Sequence, residues 1–185
     1  MVGNGWYFAY GANMHDSVLT RRGVRSLNAM PGVLEGYKRT LQMPGIRFAE
    51  PRFATLIESS RSRVHGVVHE MTGDDLLLLD RYELNQERFE VQIQSAETTV
   101  SATAYRSRLL VEPGPCSRRY KRLMIEGARD HGLPEEAIAE LTLIPVGGVP
   151  GLDRTIGPML RLLEAAERSN TPLRWLHRLL ERREP

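Results

Sequence analysis

The sequence predicts an α+β domain, because segments with strand-like alternation come first along the chain and segments with helical periodicity follow. The chain has 185 residues, of which 41% are hydrophobic and 26% are charged, as in soluble globular proteins. A chain of this length buries a substantial core in one domain and leaves room for a short appendage. No stretch approaches the roughly 20 apolar residues of a membrane-spanning helix.

Strands are predicted from runs of aromatic and β-branched residues that end at turn signals. The first run, Trp6–Tyr10, stops at the Gly11-Ala12-Asn13 turn, and the residues from Met14 to about Arg22 suit a short helix. The segment 44–51 is loop-like. The later strands are assigned to 33–43, to 54–57 and 64–71 joined by a polar turn at 59–63, and to 88–94 and 100–110.

Helices are predicted from capping residues and apolar faces. Thr72, with Asp75 three residues on, is typical of a capping box and starts a helix that ends near residues 82–83. A second helix spans about 117–130 and is closed by His131-Gly132. Its apolar face consists of Tyr120, Leu123, Met124, Gly127 and Ala128. Pro134 opens a further short helix.

A Gly/Pro-rich stretch at 145–153 is typical of a linker, and it divides the chain into a domain at 1–144 and a C-terminal extension at 145–185. The extension has helical periodicity and a stripe of Arg174, Arg178 and Arg182. We interpret it as an amphipathic helix packed on the domain with a solvated basic face. A homodimer contact and a docking helix for a partner are the alternatives.

Charge and cysteine usage narrow the class of protein. The net charge of +2 gives no strong attraction to nucleic acid or to a membrane. The single cysteine, Cys116, excludes an internal disulfide framework and a cysteine-based zinc site. The segment MVGNGWYFAY has neither the basic region nor the apolar run of a secretion signal. We therefore expect a cytoplasmic protein that binds neither nucleic acid nor a membrane.

Glu83 is the first candidate site residue. It lies seven residues after Leu76 and four after Leu79, so helical periodicity places it on an apolar face. Burial and a helix C-terminus both disfavour the charged form of a carboxylate, which suits proton transfer near neutral pH. The alternative is that Glu83 lies beyond the helix end and points into water.

The turn after the first strand is the second candidate. Gly11 allows close backbone approach, and the consecutive N–H groups of such a turn can hold an anion, although most such turns are only turns. His65 and His69 share a face of a predicted strand, but no third ligand is evident, so we predict no metal site. Cys116 has no evident base and is a weak candidate nucleophile.

Several motifs in order along the chain resemble the gamma-glutamylcyclotransferase family. The segment Tyr7-Phe8-Ala9-Tyr10-Gly11-Ala12-Asn13-Met14 is similar to the family signature YFAYGSN followed by an apolar residue. Leu79-Asp80-Arg81-Tyr82-Glu83 matches an L-D-x-x-E motif. Further matches are the segments 54–57, 66–68, 119–121, 127–128 and 132–134. The resemblance runs from about Trp6 to Leu143.

The resemblance implies a small mixed β-barrel surrounded by helices, and an enzyme without a cofactor. Such an enzyme cleaves a γ-glutamyl amide by attack of the substrate's α-amine on its own γ-carbonyl, and it releases 5-oxoproline and a free amine or amino acid. Glu83 would be the general acid and base. Residues Tyr7 to Asn13 would bind the substrate, and Tyr120 would offer its hydroxyl, unless it is only a core aromatic.

Three positions depart from the family pattern. Ala12 stands where the family has serine, Phe89 where a tyrosine is expected with a spacing one residue off, and Arg52-Phe53 where a glycine pair is expected. Tyr105 matches a family tyrosine. Phe89, Arg52 and Tyr105 are therefore further candidates for contact with the substrate. The departures leave open a non-catalytic relative that binds a small ligand or partner, and the leaving group is not fixed.

Overall fold

Five strands close into a barrel in this computed structural model, which describes residues 3–46, 49–83, 85–96 and 98–148. Their order around the barrel is β1-β3-β2-β4-β5. Neighbouring strands run antiparallel, and β5 closes the barrel by meeting β1 in parallel, with Tyr7 opposite Thr103. The strands are β1 (Gly5–Ala9), β2 (Asn28–Ile46), β3 (Glu50–Met71), β4 (Gln86–Gln94) and β5 (Thr99–Ser107). The predicted α+β class and mixed barrel are confirmed.

Helices α1 (Asp16–Arg21) and α2 (Gly73–Asp80) lie between strands, and α3 (Arg118–Asp130) and α4 (Glu135–Leu143) follow the last strand. A 3-10 turn at Ala12–Met14 joins β1 to α1. The predicted caps are confirmed: the Thr72 hydroxyl accepts the N–H of Asp75 at 3.1 Å. The predicted apolar face of α3 is buried in full. Gly132, at φ +66°, ends that helix.

The barrel interior is packed by side chains from several strands. Phe8, Val68 and Ile93 are completely buried there. A Cβ on Gly32 would lie 2.5 Å from Ile93, and one on Gly66 would lie 2.7 Å from the Phe8 ring. Close approach across the interior therefore accounts for both glycines. Because side chains fill the interior this closely, we expect a binding site to lie outside the barrel.

Two predicted loops are wrong. The polar segment 59–63 does not separate two strands, because β3 continues through it. Residues 59–62 bulge out of β3 opposite a single residue of β2, Gly36. Gly36 has a φ of +79°. Exposed polar residues suit a bulge as well as a turn, so composition could not distinguish the two. The segment 44–51 is also largely strand, since β2 and β3 extend into it.

The predicted C-terminal extension lies almost entirely outside the described residues. Its linker, its helices and its arginine stripe therefore stay predictions, as does the boundary at residues 144 and 145. Among the residues that the structure describes, no helix has the length and hydropathy to cross a membrane.

Glu50 is a buried carboxylate at the start of β3. Its side chain is 1% exposed, and Oε2 accepts a hydrogen bond from the Arg119 guanidinium of α3 at 3.1 Å. Burial raises the pKa of Glu50 to about 7, and Arg119 opposes this rise. The folded protein therefore holds a proton on Glu50 more strongly than the unfolded chain does.

We expect Glu50→Gln to remove a pH dependence from the stability. A folded pKa above the ordinary value of 4.5 means that the wild-type free energy of unfolding falls as the pH rises from about 4.5 to about 7. Glu50→Gln should lack the part of this fall in the free energy of unfolding that comes from Glu50. Urea unfolding across that pH range measures it, with Glu58→Gln, an exposed carboxylate on the same strand, as the control. An identical pH profile in wild type and Glu50→Gln would contradict the prediction.

Candidate active site

Glu83 follows α2 after a short tight turn. The helix ends at Asp80, and the Glu83 N–H donates to the Asp80 carbonyl at 3.3 Å. The Glu83 side chain is 9% exposed, so the predicted burial is confirmed. The groups around its carboxylate are polar, however, whereas the periodicity indicated an apolar environment.

Among the residues that the structure describes, three side chains donate hydrogen bonds to the Glu83 carboxylate. Arg22 donates to Oε1 at 2.8 Å and forms an ion pair with it. The Asn13 amide donates to the same oxygen at 3.2 Å, and the Gln86 amide donates to Oε2. A carboxylate has about four lone-pair positions, so these donors leave about one for a further partner. The carboxylate is thus held in place but can still accept a proton donor.

Contacts at the end of α2 explain the L-D-x-x-E motif. Leu79 is completely buried in the core. Asp80 accepts a hydrogen bond from the Tyr105 hydroxyl at 2.6 Å and from Arg88 at 3.0 Å. These bonds tie the end of the helix to β5 and β4. The following turn of chain then places Glu83 against its donors.

Asn13 connects the signature segment to Glu83. Asn13 donates to its carboxylate and also to the Tyr7 hydroxyl, at 2.8 Å. Burial raises the pKa of Tyr7, and the Glu83 charge acts in the same direction, so the phenol stays protonated. Asn13 therefore links the loop after β1 to the carboxylate.

The other residues of the segment before Gly11 are structural. Phe8 and Ala9 are completely buried, and Tyr10 is nearly so. The Tyr10 hydroxyl donates to the backbone carbonyl of Tyr105 at 2.5 Å. This bond joins β1 to β5, so these residues hold the loop in place rather than facing Glu83.

Gly11 and Tyr120 meet at the loop. A Cβ on Gly11 would lie 2.6 Å from the Tyr120 hydroxyl, and because Gly11 has φ −118°, close approach explains the glycine. The Tyr120 hydroxyl accepts the N–H of Ala54 at 3.2 Å. Its ring is buried, as expected of a core aromatic, and its hydroxyl lies at the loop; contact with a substrate stays a prediction. Ala12, partly buried, opens the 3-10 turn.

The remaining candidates differ in their partners. Tyr105 joins the site through Asp80, and its ring lies edge-on to Tyr7 at 5.8 Å. The partners of Phe89 and Arg52 differ from those of Tyr105. Phe89 packs against Tyr37 and Arg106, while Arg52 donates to the carbonyls of Pro51 and Glu112.

Sequence reasoning missed Arg22 and Gln86. Arg22 follows α1 and lies 61 residues from Glu83 along the chain, so no motif spacing could connect them. Gln86 opens β4 three residues after Glu83, where the strand was predicted to start at residue 88. Its nearness in sequence to Glu83 was the one available signal.

The structure separates the two histidines of β3 and buries the cysteine. His65 lies 3.3 Å from the Glu136 carboxylate, whereas His69 Nδ1 lies 3.1 Å from the Ser26 hydroxyl. Cys116 is completely buried, and burial raises the pKa of its thiol to about 11. A thiol in that state is a poor nucleophile, as the sequence indicated.

Comparisons with known proteins show sequences similar to this chain. Residues 63–141 match the AIG2-like family. Over 58 residues the chain is 38% identical to the gamma-glutamyl cyclotransferase gliK of Aspergillus fumigatus, a match that covers 31% of this chain but only 21% of that protein. Over 145 residues it is 28% identical to the gamma-glutamylcyclotransferase of Bos taurus, covering 75% of this chain and 77% of that protein.

A solved structure is also similar to this chain in its fold. A solved structure of a gamma-glutamyl cyclotransferase is similar to this chain with a TM-score of 0.71 and 23% identity, over 84% of this chain and 99% of that one. In sequence and in fold, the chain is similar to gamma-glutamylcyclotransferases.

Proposed function

We propose that the protein is a gamma-glutamylcyclotransferase that acts on a γ-glutamyl amide, with Glu83 as general acid and base. One observation carries this proposal. The Glu83 carboxylate is 9% exposed, is held by three donors, and is linked through Asn13 to the loop that resembles the family signature. Similarity to gamma-glutamylcyclotransferases supports the reaction class, and the contacts of Glu83 support its role.

The proposed reaction joins two ends of one molecule by intramolecular acyl transfer. The α-nitrogen of the γ-glutamyl group attacks the γ-carbonyl carbon, and the amide C–N bond to the leaving amine breaks. The α-ammonium loses two protons overall, and the leaving nitrogen gains two. The products are 5-oxoproline and the ammonium form of the amine, and no water is consumed. Because nucleophile and electrophile belong to the same substrate, the main task is orientation, and no cofactor is needed.

Glu83 suits the proton transfers because they occur in turn. It would first take a proton from the α-ammonium, which cannot attack while protonated, and later deliver one to the leaving nitrogen. The lone-pair position that its three donors leave open would accept the substrate ammonium. Arg22, Asn13 and Gln86 would keep the two carboxylate oxygens in place during this exchange.

The loop after β1 would bind the acidic end of the substrate. The first N–H groups of the 3-10 turn at Ala12–Met14 have no acceptor within that turn. They can bind the α-carboxylate or stabilise negative charge on the γ-carbonyl oxygen. Backbone donors do not require the serine hydroxyl that Ala12 lacks. The Tyr120 hydroxyl beside Gly11 would add a further donor.

Release of 5-oxoproline tests the proposed function directly. We expect mass spectrometry to detect it from one or more members of a panel of γ-glutamyl amino acids, γ-glutamyl amines and glutathione. The preferred member would identify the leaving group. Substrate-dependent thermal stabilisation without release would instead indicate a non-catalytic, ligand-binding relative. If the panel gives no release and no stabilisation, that result would contradict recognition of the γ-glutamyl group.

A further inference from the structure

Asp16, His69 and His131 come together from three separate elements. Asp16 is the first residue of α1, His69 lies in β3, and His131 follows the last residue of α3. Each offers one atom that can bind a metal ion, and these atoms all lie within 4.8 Å of one another. His131 Nε2 is 3.1 Å from Asp16 Oδ1, and the two imidazole rings meet edge-on at 5.5 Å.

His69 brings a buried nitrogen without a well-aligned hydrogen bond. The residue is completely buried, and Nδ1 lies 3.1 Å from the Ser26 hydroxyl. Nε2 is also buried, and it makes no well-aligned hydrogen bond among the described residues, while a weaker contact between the ring and the Asn13 backbone raises the pKa of His69 against the effect of burial. Buried polar atoms normally have partners, so this nitrogen requires an explanation. A hydrogen bond to the opposite ring nitrogen, as Ser26 makes, is how metal-binding histidines are held in orientation.

We propose that Asp16, His69 and His131 bind a divalent transition-metal ion such as Zn²⁺, with His69 contributing Nε2. Two imidazoles, one carboxylate and a water molecule form a common tetrahedral set for zinc. Bonds of this kind place the ligand atoms roughly 3.4 Å apart, so the cluster would tighten on binding. His69 is fixed by burial, whereas the Asp16 side chain is 65% exposed and can move.

The state of His69 suits this role. Burial, together with the neighbouring His131, lowers the pKa of His69 to about 4. Its imidazole is therefore neutral at physiological pH and binds a metal ion without first releasing a proton.

The competing interpretation is a hydrogen-bonded cluster alone. The pair of His131 and Asp16 satisfies those two side chains, but it leaves Nε2 of His69 without a well-aligned hydrogen bond. A metal ion satisfies all three. The sequence did not predict this site. His65 and His69 share a face of one strand, and this placement indicated His65 as the second possible ligand.

The site would stabilise the region behind the candidate active site. The His69 ring stacks on Tyr7 at 6.2 Å, and α1, which begins at Asp16, is followed by Arg22, the ion-pair partner of Glu83. A bound ion would tie the start of α1 to β3 and to the end of α3.

Metal binding to the tag-free full chain tests the proposal. After treatment with a chelator, we expect the protein to bind one Zn²⁺ saturably in equilibrium dialysis and to unfold at a higher temperature when it is bound. Co²⁺ in its place should give the visible absorption of a tetrahedral site. His131→Gln and Asp16→Asn should each weaken binding by about tenfold or more. His65→Gln, on the same strand and paired with Glu136, is the matched control and should bind normally.

Two results would overturn the proposal. One is the absence of saturable binding at one ion per chain. The other is binding that is no weaker in His131→Gln and Asp16→Asn than in His65→Gln. His69→Gln should abolish binding, but it removes a fully buried side chain and can unfold the protein. The variants at Asp16, which is exposed, and at His131, which is less buried than His69, therefore decide the question, with circular dichroism to verify the fold.

Discussion

Glu83→Gln is expected to lower the rate of 5-oxoproline release by about 10²–10⁴-fold while the protein stays folded. Glutamine has the size of glutamate and keeps an acceptor oxygen for Arg22 and Asn13, but it cannot take up and return a proton. The loss should therefore appear in kcat more than in KM. Steady-state kinetics on the preferred substrate, with thermal unfolding measured in parallel, check this result.

Two further variants sharpen this test. Glu87→Gln removes an exposed carboxylate that pairs with Arg106 at 3.0 Å, and its activity should match that of the wild type. Glu83→Asp keeps the acid but withdraws it by one methylene, so its activity should lie between those of wild type and Glu83→Gln. If Glu83→Gln releases 5-oxoproline at the wild-type rate, the reaction stands but Glu83 is not its acid and base.

Gly127→Ala is expected to destabilise the protein by about 1–3 kcal/mol. A Cβ at this position would lie 2.5 Å from the backbone nitrogen of His15 and 2.5 Å from the carbonyl carbon of Met14. Backbone atoms of a short turn cannot move aside as a side chain can. The same substitution inside an ordinary helix stabilises by roughly 0.5–1 kcal/mol, so the expected sign is reversed here.

Urea unfolding measures this effect. Arg122→Ala, at a side chain of the same helix that is 67% exposed, should change the free energy of unfolding by less than about 0.5 kcal/mol. Because Met14 directly follows Asn13, we also expect Gly127→Ala to disturb the loop and lower catalytic activity. A variant as stable as the wild type would show that α3 does not pack against the turn this closely.

Local patterns predicted the helices and the candidate carboxylate. The buried face of α3 followed from its periodicity, because a single side of that helix packs on the rest of the domain. Thr72 marked the start of α2 for a similar reason, since a cap is a contact within one turn. The motif ending at Glu83 identified the carboxylate because motif spacing is a local property.

Contacts between distant segments could not be predicted in this way. Arg22 reaches Glu83 across the fold, and nothing in the residues near either one indicates the pairing. The same limit applies to His69, whose neighbours His131 and Asp16 lie in other elements. The bulge in β3 was missed for a different reason: its polar residues suit a turn equally well.

The bond between Asn13 and Glu83 has a consequence for folding. The two residues are 70 positions apart, and β1 meets its neighbours only when β3 and β5 have formed. Contacts of such long sequence separation form slowly, whereas α3 and α4 depend on local hydrogen bonds. During refolding, helical circular dichroism should therefore recover before 5-oxoproline release does. The return of activity would report the closing of the barrel.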